Sequence, residues 1–432
     1  MSSPASPTSK IIFSSFLMKT FRLLPPTRPL DVSIDLPTSK SISNRALILS
    51  ALSSSTAPTE GLSDCDDTAV MIAALKSDLS HVDVGAAGTS MRFLTAFLAL
   101  TPGTHVITGS ERMKQRPIRI LVDALRQLGA DISYVENDGF PPLRIVGGSL
   151  HGGTITVPGD ISSQYISALM MIGPRLSGGL TIRLTGNVGS RPYINMTLAM
   201  MRQCGASADW QGDVITIPES NYSSSISRVE GDWSASSYWY SLVAQHGGSV
   251  RLRGLFPTSL QGDSKMREYG SLLGVETVFS DGFAVLSRRS DAVLPSSVNL
   301  DLADEPDLAQ TLVTALCSLR IPFLISGLNS LRIKETDRLQ ALHDELAKCG
   351  FDIKILEDEQ SNFSLSWSPA DVHSQLSTEP IATYKDHRMA MSFAAITSAV
   401  RQIDIADPDV VSKSYPSFWS DLAKAGFSIN EL

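Results

Sequence analysis

No apolar run in this chain approaches the roughly eighteen residues that a membrane-spanning helix needs. Cysteine is scarce and scattered. Cys65, Cys204, Cys317 and Cys349 form no C-x-x-C pair, which argues against a zinc ribbon or a disulfide scaffold and suits a reducing cytosol. The seven histidines form no ligand-spaced cluster and H-E-x-x-H is absent, so neither a metal nor a cofactor is expected. The usual phosphate loops are missing too: there is no G-x-x-x-x-G-K-[ST], and Gly85-Ala86-Ala87-Gly88 only weakly imitates G-x-G-x-x-G. Charged residues are few, at 19%. The net charge of -8 speaks against general binding to nucleic acid or to an anionic membrane. Any anion site must therefore be local.

What the chain does have is core-forming material, with 43% hydrophobic residues over 432 positions, enough for two or three domains. Residues 1–17 are rich in Ser and Pro, with Lys10 their only charge. A plastid transit peptide has that composition; a disordered tail is the preferred reading, with the folded chain beginning near Met18. The stretch 36–52, LPTSKSISNRALILSAL, turns from polar to almost wholly apolar. It reads as a strand end, then short hydroxyl residues that cap a helix, then a buried helix. Lys40, Ser41 and Arg45 stand at its mouth, where unpaired N–H groups and the positive dipole end favour an anion. The plainer alternative pairs these cations with distant carboxylates.

A phrase recurs: LVDALRQLGADI at 121–132, LAMMRQCGASA at 198–208, MREYGSLLGVET at 266–277, ALHDELAKCGFDI at 341–353 and FWSDLAKAGFSI at 418–429. Each reads as an amphipathic helix stopped by Gly, then a strand. The glycines, at 129, 205, 274, 350 and 426, are spaced by 76, 69, 76 and 76. A sixth copy at 71–84 lacks the Gly. Six copies of one α/β unit, three to a domain, follow. Between them lie Ser- and Gly-rich joints at helix starts, the layout of one cleft fed by many helix N-termini.

These joints carry SKSISNRALILSAL, AGTSMR, RMKQRPI, SSQY, RPYI, EGDWSAS, RIKETDRL and YKDHRMAM, in that order. Together they resemble the 5-enolpyruvylshikimate-3-phosphate synthase (3-phosphoshikimate 1-carboxyvinyltransferase) family, over residues 36–413. The resemblance implies an α/β, two-domain enolpyruvyl transferase fold, each domain of three βαβαββ units, with the cleft between domains. It implies a domain of residues 18–37 and 231–432, a second of 38–230, and crossings near 37–39 and 230–232. The implied reaction transfers enolpyruvate from phosphoenolpyruvate to the 5-hydroxyl of shikimate 3-phosphate. Those substrates bring about six negative charges, against eight motif cations: Lys40, Arg45, Arg92, Arg116, Lys334, Arg338, Arg388 and Lys413.

By resemblance, Lys40, Ser41, Arg45, Ser162, Ser163, Ser190, Tyr193, Asp307 and Lys334 bind shikimate 3-phosphate, the three serines at its phosphate and Arg45 at its carboxylate. Lys40, Gly88, Arg92, Arg116, Gln164, Arg338, Arg388 and Lys413 bind phosphoenolpyruvate. Asp307, Glu335, Lys334, Lys40 and His387 are the catalytic candidates. Asp307 is expected as base at the hydroxyl, Glu335 at the methylene or methyl carbon, and His387 at the leaving phosphate. Simpler roles compete: core filling for Tyr193 and Gln164, a structural histidine at 387, and helix capping for Glu230 and Asp232, which is favoured.

The chain departs from the family at Ala86, commonly Asn, and at Phe93, commonly Pro. Gly88 is kept; a larger residue there blocks the inhibitor glyphosate in this family, so sensitivity is expected, with Phe93 a possible disturbance of that helix. Two rivals remain. The sister enzyme acting on UDP-N-acetylglucosamine usually relies on a loop cysteine, which RMKQRP lacks. A non-catalytic anion-binding relative would have had no reason to keep Lys40, Asp307, Lys334, Glu335 and Arg388. A cytoplasmic monomer with small-molecule substrates is the expectation, without nucleic acid or membrane partners.

Overall fold

Five times the chain runs a helix into a glycine and then into a strand that is one arm of an antiparallel pair. The computed structural model describes residues 19–148, 150–160, 162–372 and 376–432; the tail expected over 1–17 lies outside them. The helices are Arg119–Gln127, Arg191–Gln203, Met266–Leu272, Arg338–Lys348 and Phe418–Lys424. Their strands are Asp131–Tyr134, Asp209–Gln211, Val275–Ser280, Lys354–Glu357 and Ser428–Glu431. The glycine between them takes φ from +80° to +95° in every copy. A side chain would clash in that conformation, so glycine ends each helix there.

In the first four units the strand pairs antiparallel with the next one: Leu143–Gly147, Val214–Ile217, Phe283–Arg288 and Phe363–Trp367. Each sheet is completed by two parallel strands, so all four share one order, such as His81–Asp83, Gly103–Thr108, Leu143–Gly147, Asp131–Tyr134. The helices that precede the central strands are apolar nearly all round and buried: Gly88–Leu100, Ser163–Ile172, Trp233–His246 and Ala309–Ser318.

The start of the described chain completes units at its far end. Thr20–Leu24 lies between Ile403–Ala406 and Ser428–Glu431, antiparallel to both. Leu30–Asp35 lies parallel to Gly248–Arg253. The sixth unit differs from the sequence expectation. Helix Asp66–Lys76 is present, but the strand after it, His81–Asp83, opens the next sheet. Instead of a sheet, this unit has the isolated bridges Ser53–Tyr222 and Glu60–Arg228 beside helices Lys40–Leu52 and Asp66–Lys76.

Buried apolar side chains sort into two cores. One draws on residues 23–36 and 233–427, the other on 42–229. The chain passes between them twice, and the two passages pair. Ser39 N donates to Glu230 O at 2.8 Å, and Asp232 N donates to Pro37 O at 2.8 Å. Asp232 caps helix Trp233–His246 through Ser234 N and Ala235 N, and its other oxygen accepts from Lys40 N at 3.2 Å. One carboxylate thus ties together helix starts from both cores. Glu230 caps nothing; it accepts from Ser259 Oγ and Gln261 Nε2.

Candidate active site

The gap between the two cores is where the helix starts meet. On the 42–229 side stand the starts of Lys40–Leu52, Gly88–Leu100, Ser163–Ile172 and Arg191–Gln203. None has an acidic residue in its first turn, and their N-caps are Ser39, Ala87, Ser162 and Ser190. Ser190 holds a left-handed conformation at φ 54°, uncommon for serine, and its side chain caps nothing. On the opposite side the helix starts Trp233, Arg338 and His387 are capped by Asp232, Asp337 and Asp386. The two walls therefore differ: on one, Ser39 and Ser162 cap with neutral hydroxyls and Ala87 and Ser190 cap nothing, which leaves the helix ends open to an anion, whereas on the other the caps are carboxylates.

Cations follow the same division. Arg45 and Arg92 are 2% and 3% exposed, yet neither meets a carboxylate among the described residues. Arg45 donates to Thr197 Oγ1 at 2.7 Å and to Ser167 Oγ at 3.2 Å, and its guanidinium lies over Phe93 at 5.3 Å. Arg92 donates to the Gly88 and Pro117 carbonyls. Burial lowers the pKa of each to about 10, in Arg92 with help from Arg116. Arg116, also buried, has an unpartnered Nε. Buried charges are costly unless compensated. Three on one wall mark a place for anions.

The other wall carries paired charges. Asp307 Oδ1 lies 3.0 Å from Arg338 and 3.6 Å from Lys334, and its Oδ2 lies 3.0 Å from Arg388. Glu335 lies 3.1 Å from Arg338 and 3.4 Å from Lys413. Burial alone would raise both carboxyl pKa values; Arg388, Lys334 and Arg338 pull Asp307 well below the usual range, and Lys413, Arg338 and Arg116 do so for Glu335. Lys40 pairs with Asp67 at 3.2 Å. Burial opposes its charge, but Asp67, Cys65 and Glu335 together outweigh it, so Lys40 stays protonated. His387 lines the gap with neither ring nitrogen hydrogen-bonded among the described residues, although Nδ1 lies 3.8 Å from Asp386 Oδ1, and burial beside Lys40 and Arg388 disfavours its charged form.

Ser41, Ser162, Ser163, Ser190, Tyr193, Gln164 and Gly88 line the same gap. Gln164 donates to Thr89 Oγ1 at 3.1 Å. A Cβ built on Gly88 would stand 2.6 Å from Arg116 Nη1, so any larger residue there must push the Arg116 guanidinium aside. Lys413 alone of the sequence candidates lies behind the gap, lining an adjoining cavity and reaching in through Glu335.

The family model for EPSP synthase (3-phosphoshikimate 1-carboxyvinyltransferase) matches residues 24–79 and 75–422. This chain belongs to the EPSP synthase family. A 3-phosphoshikimate 1-carboxyvinyltransferase of Bacteroides fragilis is 51% identical over 409 residues, covering 94% of this chain and 98% of that protein. One from Shewanella halifaxensis is 37% identical, covering 92% and 97%. The solved EPSP synthase of Acinetobacter baumannii superposes with a TM-score of 0.74 at 21% identity, covering 96% of this chain and all of that one, which establishes the shared fold.

Two departures from the common EPSP synthase pattern have structural answers. Phe93 does not break its helix: Gly88–Leu100 runs through it, with the ring buried under Arg45. Ala86 lines the cavity behind the gap rather than the gap itself. Other features in and around the gap escaped the sequence. Asp67, in DCDDT, and Asp263, in LQGDS, are buried carboxylates with no anion-binding signature of their own. Arg112, inside the RMKQRPI motif, donates across the gap to the carbonyls of Glu335 at 3.0 Å and Lys334 at 3.3 Å. Its place in that motif was the available signal.

Proposed function

We propose that this protein moves the enolpyruvyl group of phosphoenolpyruvate onto the 5-hydroxyl of shikimate 3-phosphate, with release of inorganic phosphate. The product serves chorismate and aromatic amino acid biosynthesis. The observation that carries the reading is the contrast across one gap: three buried arginines with no carboxylate ion pair among the described residues face two half-buried carboxylates gripped by cations. Shikimate 3-phosphate sits on the first wall, its phosphate at Ser162, Ser163 and Ser190 and its carboxylate on Arg45, with Ser41 and Tyr193 beside it. Phosphoenolpyruvate takes Arg92, Arg116 and Gln164, together with Arg338, Arg388 and Lys413. Lys40 lies between the two substrates, and Lys334 stands at the hydroxyl with Asp307.

The chemistry follows from charge exchange. In the empty site Asp307 is too well compensated to be a strong base. Phosphoenolpyruvate's anions compete for Arg338 and Arg388, and Asp307 becomes more basic as they do. It then takes the 5-hydroxyl proton as oxygen attacks C2. Glu335, ionised beside Lys413, serves C3 as a relay: in the addition it passes to C3 a proton that Lys413 gives up, and in the elimination it takes one from the methyl group and returns it to Lys413. Between the two lies a tetrahedral ketal phosphate, whose phosphate departs past neutral His387. General acid–base help of this kind contributes about a hundredfold to ten-thousandfold; the fixed cations stabilise developing charge besides.

Residues 18–37 with 231–432, and residues 38–230, are proposed as the two domains, supported by the separate cores. A cytoplasmic monomer is proposed as well; the four cysteines are buried and unpaired, as a reducing compartment favours. Phosphate release tests the activity. Release that requires both phosphoenolpyruvate and shikimate 3-phosphate is expected. Release with UDP-N-acetylglucosamine instead would favour the sister reaction, and binding without release under either condition would favour a non-catalytic relative.

A further inference from the structure

The proposed transfer leaves a proton without a resting place. Asp307 takes it from the 5-hydroxyl, but Lys334 beside it, with what the substrate's anions leave of Arg388 and Arg338, favours the ionised form of Asp307. A second carboxylate stands close by, unused by the mechanism. Asp263 lies on the single turn Gly262–Lys265 and is 2% exposed. The Tyr193 hydroxyl donates to its Oδ1 at 3.3 Å, and Ser234 Oγ donates to its Oδ2. The same Tyr193 hydroxyl lies 3.5 Å from Asp307 Oδ2. A phenol has one proton to give and lone pairs to receive another. Placed between two carboxylates, it can donate to one while accepting from the other.

The groups facing Asp263 come from several elements. Asp307 and Arg388 approach from the turn Pro306–Leu308 and the helix His387–Ala394, Asp232 from the cap of Trp233–His246, and Tyr193 from Arg191–Gln203. On its own turn, Lys265 pairs with Glu305 at 3.5 Å instead. Among the described residues no cation forms an ion pair with Asp263. Burial and the neighbouring Asp307, against Arg388, push its pKa up to about 7. Asp263 is therefore able to hold a proton under conditions in which Asp307 releases one.

We propose that Asp263 stores the substrate's hydroxyl proton during the transfer, receiving it from Asp307 through the hydroxyl of Tyr193. This rests on the reaction proposed above. The substrate O–H bond breaks as an Asp307 O–H forms. The Asp307 O–H then breaks as Tyr193 accepts that proton and gives its own to Asp263, so Tyr193 ends neutral. When phosphate leaves, the proton returns by the same path and departs on it, and the protein regains its starting charge.

Steady-state kinetics of Asp263→Asn tests this, because Asn keeps the shape but cannot take the proton. Wild-type kcat is expected to rise with pH through an ionisation near 7, as Asp263 ionises and becomes able to accept. Asp263→Asn loses that limb and falls at least about tenfold in kcat at pH 8, with both KM values within about threefold of wild type. Tyr193→Phe loses the same limb, and carries the prediction alone if Asp263→Asn does not fold. A structural role, in which Asp263 only holds Ser234 against Arg388, moves KM or thermal stability and leaves the limb in place; that result overturns the proposal. A wild-type protein that releases no phosphate with both substrates overturns the reaction itself, which an active, unaltered Asp263→Asn does not.

Discussion

Arg45, Arg92 and Arg116 show at the scale of single residues how function departs from stability. Their burial without carboxylates destabilises the empty protein and suits it to hold anions. Arg92→Gln is therefore expected to leave the thermal midpoint of the ligand-free protein equal or higher while raising KM for phosphoenolpyruvate by about 10- to 100-fold, the value of a charge-assisted hydrogen bond or two. A large drop in the midpoint would instead make Arg92 a structural residue. Gly88→Ala makes a similar point through space. Its Cβ would displace the Arg116 guanidinium, so KM for phosphoenolpyruvate is expected to rise and glyphosate to lose affinity, and the wild type is expected to be inhibited in competition with phosphoenolpyruvate. No competition at millimolar glyphosate would contradict the arrangement of Gly88 and Arg116. His387 is expected to show no ring titration by NMR between pH 6 and 8, since burial beside Lys40 and Arg388 disfavours its charged form. Lys40, Arg45, Arg92, Arg338 and Arg388 were readable because each sits in a motif within the first turns of a helix, while Arg116 and Lys334 follow short helical turns and were readable from their motifs alone. Asp67 and Asp263 were not, because a carboxylate partner reveals itself only when folding brings it to its cation or hydroxyl.

At the scale of elements, the helix–glycine–strand unit was legible from 3.6-residue periodicity and the spacing of five glycines. Its pairing was not. Nothing local in Thr20–Leu24 says that it completes the sheet of Ser428–Glu431, because strand partners are chosen by tertiary packing. The copy at 71–84 misled for a related reason: without glycine its helix still forms, but the following strand is taken by the next sheet. Helix caps give the element-level test. Asp232 serves Ser234 and Ala235 in one helix and Lys40 in another. Asp232→Ala is expected to cost about 1–2 kcal/mol on thermal or urea unfolding, at the upper end for a cap because both cores lose an anchor. A loss below about 0.5 kcal/mol would mean that the Lys40 end is held by other contacts.

For the whole molecule, a protein of net charge -8 concentrates seven cations in one gap, with Lys413 just behind it, where two anionic substrates would meet. That concentration exists only while the two cores face each other. Arg112, reaching from one wall to the backbone of Lys334 and Glu335 on the other, is a clasp on that arrangement. Arg112→Ala is expected to lower kcat and to enlarge the radius of gyration in solution scattering with shikimate 3-phosphate bound. An unchanged radius and rate would make the clasp incidental. The central claim is convergence: groups far apart in sequence hold one pair of substrates. A crystal structure with shikimate 3-phosphate bound tests it most directly. The account predicts its phosphate at Ser162, Ser163 and Ser190, its carboxylate on Arg45, and its 5-hydroxyl within about 3 Å of Asp307. A ligand outside the gap, or a 5-hydroxyl turned away from Asp307, would contradict it.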